Sequence, residues 1–414
     1  MRSAFDSVRR RATVPGHAIA VLLVLGLPSL TPLEAQERLI PVRSVSGGPI
    51  FERWSFGSGL LQPAGGGTAA VELESVSAIS LPVSASIAFA ERWTFDVSAA
   101  YANGTVTLRS PDPTTGGDSY SLSGITDVRT RLSARFAGDA VIATVGVNLP
   151  TGTTSLDAEQ FAALRVLAAP ALGLQAPALG TGFGGTAGLV ASRQIGGWAW
   201  AAGASYELRR TYTPIAFARG VAAPDVDPGD AIHLTLGADG LVGEHGMTVA
   251  LSTDVFGDED LVLATNGSDG TVTTRLGPIF TVDWQLRVAT PRLRELTFYV
   301  VDRYRTQYER GGRAVEGSSG NYLDAGVRTV FPLSPSTGLL SAVNLRHQTG
   351  LKSDSTLATA ATASAGLTLG LQRSLGSGFE LQPFVRADYG RIKSADASAS
   401  VTGLAAGITL GRRF

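Results

Sequence analysis

The densest run of groups able to do polar chemistry is DVRTRLSARF, Asp127 to Phe136, which sets Arg129, Arg131 and Arg135 on one parity with an acid at its head. Charges on a single parity recur along the chain: Asp96, Glu207 and Arg209, Asp239, Asp254, Arg275, then Asp283 and Arg287. Later come Asp324 and Arg328, Arg346, Glu380, and Arg386 and Asp388. Spacings of i,i+2 and i,i+4 along strands put such groups within reach of partners on neighbouring strands. Two chemistries fit. One is a polar passage with charged constrictions. The other is a narrow interior filled and stiffened by mixed charges, since enclosed charges are normally paired.

Catalytic and metal chemistry find no support. The chain has no cysteine, so thiolate nucleophiles and cysteine-ligated metals are excluded. Beyond the N-terminal leader its histidines are His233, His245 and His347, and none stands in an H-x-S or metal-ligand spacing. With no acid–base or nucleophile constellation, the expectation is a non-enzyme without cofactor or metal. A formal net charge of −1 argues against a nucleic-acid partner.

The elements that must carry these charges are strands. From Trp93 to Asn103, Trp93, Phe95, Val97, Ala99 and Tyr101 alternate with Thr94, Asp96, Ser98, Ala100 and Ala102. From Trp198, Trp200, Ala202, Ala204, Tyr206 and Leu208 alternate with Ala199, Ala201, Gly203, Ser205, Glu207 and Arg209. From Val272 to Val288 an apolar set (Phe280, Val282, Trp284, Leu286) opposes Arg275, Thr281, Asp283, Gln285 and Arg287. This period of two, apolar on one face and polar on the other, defines a strand between two different environments.

The connections alternate as well. Short turns near Glu91–Arg92, Gly138–Asp139, Gly196–Gly197, Gly243–His245, Thr290–Arg294, Leu333–Ser336 and Ser377–Gly378 separate longer polar loops. Short turns therefore share one end and long loops the other. That layout predicts an all-β, closed, antiparallel up-and-down transmembrane barrel of about 14–16 strands, 16 favoured, with short periplasmic turns and long extracellular loops. The strands are too long for a soluble sandwich, where about 5–6 residues is typical. Trp93, Trp198 and Trp200 lie beside short turns, where an interfacial girdle belongs.

The first 35 residues read as a cleaved secretory signal, with Arg2 and Arg9–Arg11 ahead of an apolar run from Ala18 to Leu27. That run is nearer ~10 residues than the ~20 a spanning helix needs. The expected organisation is signal peptide 1–35, an N-terminal periplasmic segment 36–49, and an outer-membrane barrel 50–414.

The longest loop, residues 151–185, is the other informative stretch. Asp157 followed by Gln160 forms a capping signal, and Phe161, Leu164 and Leu167 share a helical face, which predicts a short helix ending near Pro170. With Leu172 and Leu174 the loop is unusually apolar for an aqueous place. It either folds inward as a plug, packs on the rim, or presents a capture patch for apolar ligands.

Three stretches resemble a known group: GITDVRTRLSARF, then VIATVGVNLPTGT (Val141 to Thr153), then LGTGFGGTAGLVASRQIGGWAWAAGASYELR (Leu179 to Arg209). Gly124, Asp127 and Val128, the strand-ending Leu149–Gly152, and Gly180–Gly182 resemble the outer-membrane group linked to meta-pathway phenol degradation. That group is related to FadL-like transporters of hydrophobic compounds. The resemblance implies passage or binding of small apolar or aromatic compounds and carries no catalytic residues. The leading expectation is a channel for such compounds, with Phe161, Leu164, Leu167, Leu172 and Leu174 as capture site. The alternatives are a porin for polar solutes and a barrel with a structural or surface-interaction role.

The chain closes on GLAAGITLGRRF, Gly403 to Phe414, where Leu404, Ile408, Leu410 and Phe414 share a parity. This is the expected closing strand, and Ile408, Leu410 and Phe414 resemble the C-terminal signal read by barrel-assembly machinery. Outer-membrane lipid and that machinery are the expected partners beside a small apolar solute.

Overall fold

In the computed structural model, residues 44–58, 61–63, 70–90, 92–110, 117–169, 172–174, 180–213, 225–265, 268–349, 360–376, 378–393 and 398–413 are described. Residues 1–35, expected from sequence to be a signal peptide, and Phe414 lie outside these residues. Strand follows strand because the alternation leaves no helical face to bury. The wall is a closed 16-stranded antiparallel barrel. Its first strand is assembled from Ser44–Gly47, Ile50–Phe56 and Leu61–Pro63; next come Ala70–Ala90 and Trp93–Arg109. The fourth is split into Ser119–Ile125 and Val128–Phe136, and Val141–Leu149, Gly184–Ile195, Trp198–Arg209, Ala231–Val242 and His245–Phe256 follow. Ile279–Arg287, Glu295–Arg305, Gly320–Ser334, Thr337–Gln348, Ala361–Gly376, Phe379–Lys393 and Ser398–Arg413 complete the circuit.

Closure is explicit in the register. Ser44 faces Arg413 and Ile50 faces Gly407, so first and last strands pair and no edge is left open. The wall thus begins at Ser44, inside the segment assigned from sequence to the periplasm. Short turns gather at one end, and Gly196 takes a φ of 61° to make the two-residue turn between Ile195 and Trp198. The described parts of the longer connections, the second sheet among them, lie at the opposite end.

Large side chains cover the outward face, among them Leu189, Trp200, Tyr206, Leu234, Leu251, Phe280, Leu369 and Ile408, all exposed. Leu410 also faces outward. The inward face carries the charges and, toward the long-loop end, an apolar cluster.

The stretch Val272–Val288, read above as one strand, is two. Ser268–Arg275 belongs to a second, five-stranded sheet at the long-loop end, with Asp225–Asp227, Asp258–Thr265, Glu309–Arg310 and Arg313–Ala314. Pro278 has no amide to donate to a ladder, and its carbonyl accepts from the Thr306 amide at 3.0 Å where the chain re-enters the wall. Arg275 therefore stands outside the lumen, paired with Asp258 at 2.8 Å and Glu309 at 3.8 Å.

Candidate functional site

The lumen is built in tiers, and the most telling is the segment between Leu149 and Gly184. Its helix, α1 (Ala158–Leu167), begins with a complete capping box: the Gln160 amide donates to Asp157 Oδ1 at 2.8 Å, and the Asp157 amide to Gln160 Oε1 at 3.1 Å. The helix lies inside the barrel. Leu164 and Leu172 are fully buried and Leu167 is 7% exposed. They pack on inward-facing residues of the wall: Trp54, Leu73 and Val76 on one side of the closure, Ile392 and Val401 on the other. Val106 and Leu122 complete the apolar wall, and Phe161 and Leu174 pack at its margin. Gly104 makes the seat for the helix, since a Cβ there would stand 2.6 Å from the Leu167 methyls.

Both ends of this segment are tied at Asp127, whose side chain is buried at the break in the fourth strand. Its Oδ1 accepts from the Gly152 amide at 2.8 Å. Its Oδ2 accepts from the Thr181 amide at 2.7 Å and Asn148 Nδ2 at 2.8 Å. Gly152 and Gly180 pass so close that a Cβ on either would meet the other's backbone. The three stretches that carried the family resemblance thus meet in one knot. Asp127, placed among lumen-lining residues from sequence, is buried in contacts with two backbone amides and Asn148.

At its far end the segment turns at Gly173, where a Cβ would lie 3.1 Å from Arg346 Nη1. Arg346 belongs to the thirteenth strand and the segment leaves the fifth, so it crosses the lumen to the opposite wall.

One pleat below the apolar cluster lies a polar tier. Arg386 holds Asp388 at 2.8 Å and Glu52 at 3.2 Å. Arg346 holds Asp324 at 3.2 Å, which also accepts from the Tyr299 hydroxyl at 3.3 Å. Across the lumen, His233 bridges Asp254 at 2.7 Å and Glu207 at 3.2 Å, and Glu207 also takes Arg209 at 3.1 Å. Arg209 stacks over Phe256 with 5.6 Å to the ring centre. Arg131 pairs with Asp96 at 2.6 Å, Arg135 with Asp139 at 3.3 Å, and Arg328 with Glu295 at 3.6 Å.

Arg129 faces inward and is exposed, and Asp283 faces inward and is buried. Arg287 lines a cavity of about 370 Å³ at the short-turn end, with Gln194, Asp239 and Thr248. Glu52 and Glu295 are lumen groups outside the set expected from sequence, and His233, read there only as a non-catalytic histidine, joins them. The first strand is too interrupted for its alternation to show, although Glu52 shares a parity with Trp54.

Outside the wall, Glu259 on Asp258–Thr265 is buried, and desolvation pushes its carboxyl up to about 7 against the opposing pull of Arg209. Among the described residues no cluster of His, Asp and Glu could hold a metal.

No family model and no curated protein matches the chain. Solved structures similar to it include an outer-membrane channel from Pseudomonas putida F1, at 12% identity, covering 91% of this chain and 97% of that one, TM-score 0.35. The outer membrane protein opdK from Pseudomonas aeruginosa aligns at 10% identity over 89% of this chain and 99% of its own, TM-score 0.41. A mutant of the TodX monoaromatic hydrocarbon channel aligns at 10% identity over 91% of each chain, TM-score 0.45. Likeness at this level carries no function from those proteins to this one.

Proposed function

We propose that this chain is an outer-membrane channel for small apolar molecules, exported by its signal peptide and occluded in its outer half by the inward-folded segment. The outer-membrane placement rests on the belt of exposed large side chains around a closed wall, a surface suited to hydrocarbon. The observation that carries the solute class is the apolar inner wall of Trp54, Leu73, Val76, Val106 and Leu122. A passage for sugars or ions gains nothing from greasy side chains turned into its lumen, whereas an apolar solute can replace α1 on that surface.

Uptake into proteoliposomes tests the reading, with toluene and medium-chain fatty acids compared against glucose and chloride. Apolar solutes should cross preferentially, and deletion of 157–174 should change their rate. Equal permeation with and without that segment would contradict the role given to it.

The paired charges of the lower lumen and the cavity at Arg287 favour a second reading, a porin for polar solutes. It predicts ion-selective conductance that changes on substitution of Arg129 or Arg131. An inward-folded segment would also suit a barrel with no transport role, for which no solute of either class would cross.

A further inference from the structure

The outward face changes character at the long-loop border of its apolar belt. On the consecutive wall strands from Thr337–Gln348 through the closure to Ile50–Phe56, the last large outward residues are Leu345, Leu367, Tyr389, Leu404 and Phe51, all exposed. One pleat further, the same strands present His347, Ala365, Arg391, Thr402 and Arg53, and Lys393 follows Arg391. Basic side chains thus alternate with small ones along one edge. The register places His347 opposite Ala363 and Ala363 opposite Arg391, so His347 and Arg391 stand about 10 Å apart at the usual strand spacing. Arg391 and Lys393, two residues apart on one face, are about 7 Å apart.

Arg53, Arg391 and Lys393 are exposed and have no ion pair or side-chain hydrogen bond among the described residues. No Asp or Glu faces outward on the described parts of these strands; Glu52, Glu380 and Asp388 all point into the lumen. In the lumen, by contrast, Arg131, Arg209, Arg346 and Arg386 each hold an acid. Exposed cations at the border of an apolar belt stand at the level of lipid head groups, where anionic groups attract them. The small side chains between them leave room for a bulky head group.

We propose that this edge binds the phosphate groups of a phosphorylated glycolipid of the outer leaflet, with Arg391 and Lys393 converging on one phosphate and Arg53 and His347 flanking them. The acyl chains of such a lipid would lie along Leu345, Leu367 and Leu404 below. The inference rests on the outer-membrane reading, which sets the long-loop end outward.

Binding of the full-length mature chain in micelles to bisphosphorylated lipid A, dephosphorylated lipid A and phosphatidylglycerol tests it, with planar-bilayer insertion measured in parallel. The wild type should bind bisphosphorylated lipid A at least about tenfold more tightly than the dephosphorylated form, from roughly 1 kcal/mol per cation near the surface. The Arg53→Ser, Arg391→Ser, Lys393→Ser triple variant should lose that preference while still inserting and conducting. Arg373→Ser, an outward cation at the short-turn border, should retain it. Equal affinity of wild type and triple variant, or equal binding of phosphatidylglycerol and lipid A, would overturn the proposal with the channel reading intact. Failure of the wild type to insert in any bilayer would overturn both.

Discussion

Gly173, at the tip of the inward-folded segment, stands against Arg346, half-way round the barrel from the strand that launches it. A loop resting on the rim would not make that approach. The described residues 150–169 and 172–174 therefore reach across the lumen, anchored at Asp127 on one side, seated on an apolar wall, and brought at Gly173 beside the Arg346–Asp324 pair.

The knot at Asp127 should govern how firmly the segment is held. Hydrogen bonds to a charged acceptor are worth about 1.5–3 kcal/mol each, and here they tie Gly152, Thr181 and Asn148 to one carboxylate. Asp127→Ala should leave the barrel folded and raise protease cleavage between 150 and 183 by about tenfold or more, read by limited proteolysis of the detergent-solubilised protein.

The seat at Gly104 should be intolerant of bulk. Gly104→Leu places side-chain atoms where the Leu167 methyls lie, and overpacking of this kind costs about 1–3 kcal/mol. The helix should be displaced while the wall persists. Single-channel conductance should rise, and tryptophan emission should shift as Trp54 loses its cover.

Much of the wall was readable from sequence, because parity and turn length are local signals. The strand Trp198–Arg209 shows it: Trp200 and Tyr206 face outward while Glu207 and Arg209 pair within the lumen. The capping box of α1 was readable for the same reason, since Asp157 and Gln160 are three residues apart. The position of that helix was not. Its apolar face is explained by Trp54, Ile392 and Val401, far away in sequence, and periodicity cannot separate an inner wall from a capture patch. Asp127 sat in an arginine row and so looked like lumen lining; its partners Gly152 and Thr181 are 25 and 54 residues away. The break at Pro278 was legible as a proline, yet the alternation on both sides of it masked the change of sheet that carries Arg275 out of the lumen.

The outer sheet should respond to pH through Glu259. Burial raises its carboxyl from 4.5 when exposed to about 7 in the fold, so the folded state holds the proton over that interval. Its contribution to stability is complete below about 4.5 and is lost as pH rises through about 7. Hydrogen-exchange protection factors in Asp258–Thr265 and Ser268–Arg275 should therefore be higher at pH 5 than at pH 8, with Arg209 moderating the difference. Glu259→Gln should flatten this dependence.

The lumen ion pairs predict an asymmetric cost of substitution. Removing one partner leaves the other charge enclosed and unpaired. Arg386→Met should therefore lower the thermal midpoint in detergent more than the same change at the exposed Arg129. A double variant, Arg386→Met with Glu52→Gln, should recover part of the loss.

The central claim is that α1 lies on the inner wall and controls passage, and the absence of native cysteine makes it directly testable. Gly104→Cys combined with Leu167→Cys should oxidise to a disulfide in the full-length protein. In planar bilayers and in toluene-uptake assays, the oxidised form should be held in its low-flux state and reduction should release it, while the single-cysteine proteins stay indifferent to redox conditions. Failure of the pair to cross-link, or equal flux of oxidised and reduced forms, would contradict the account.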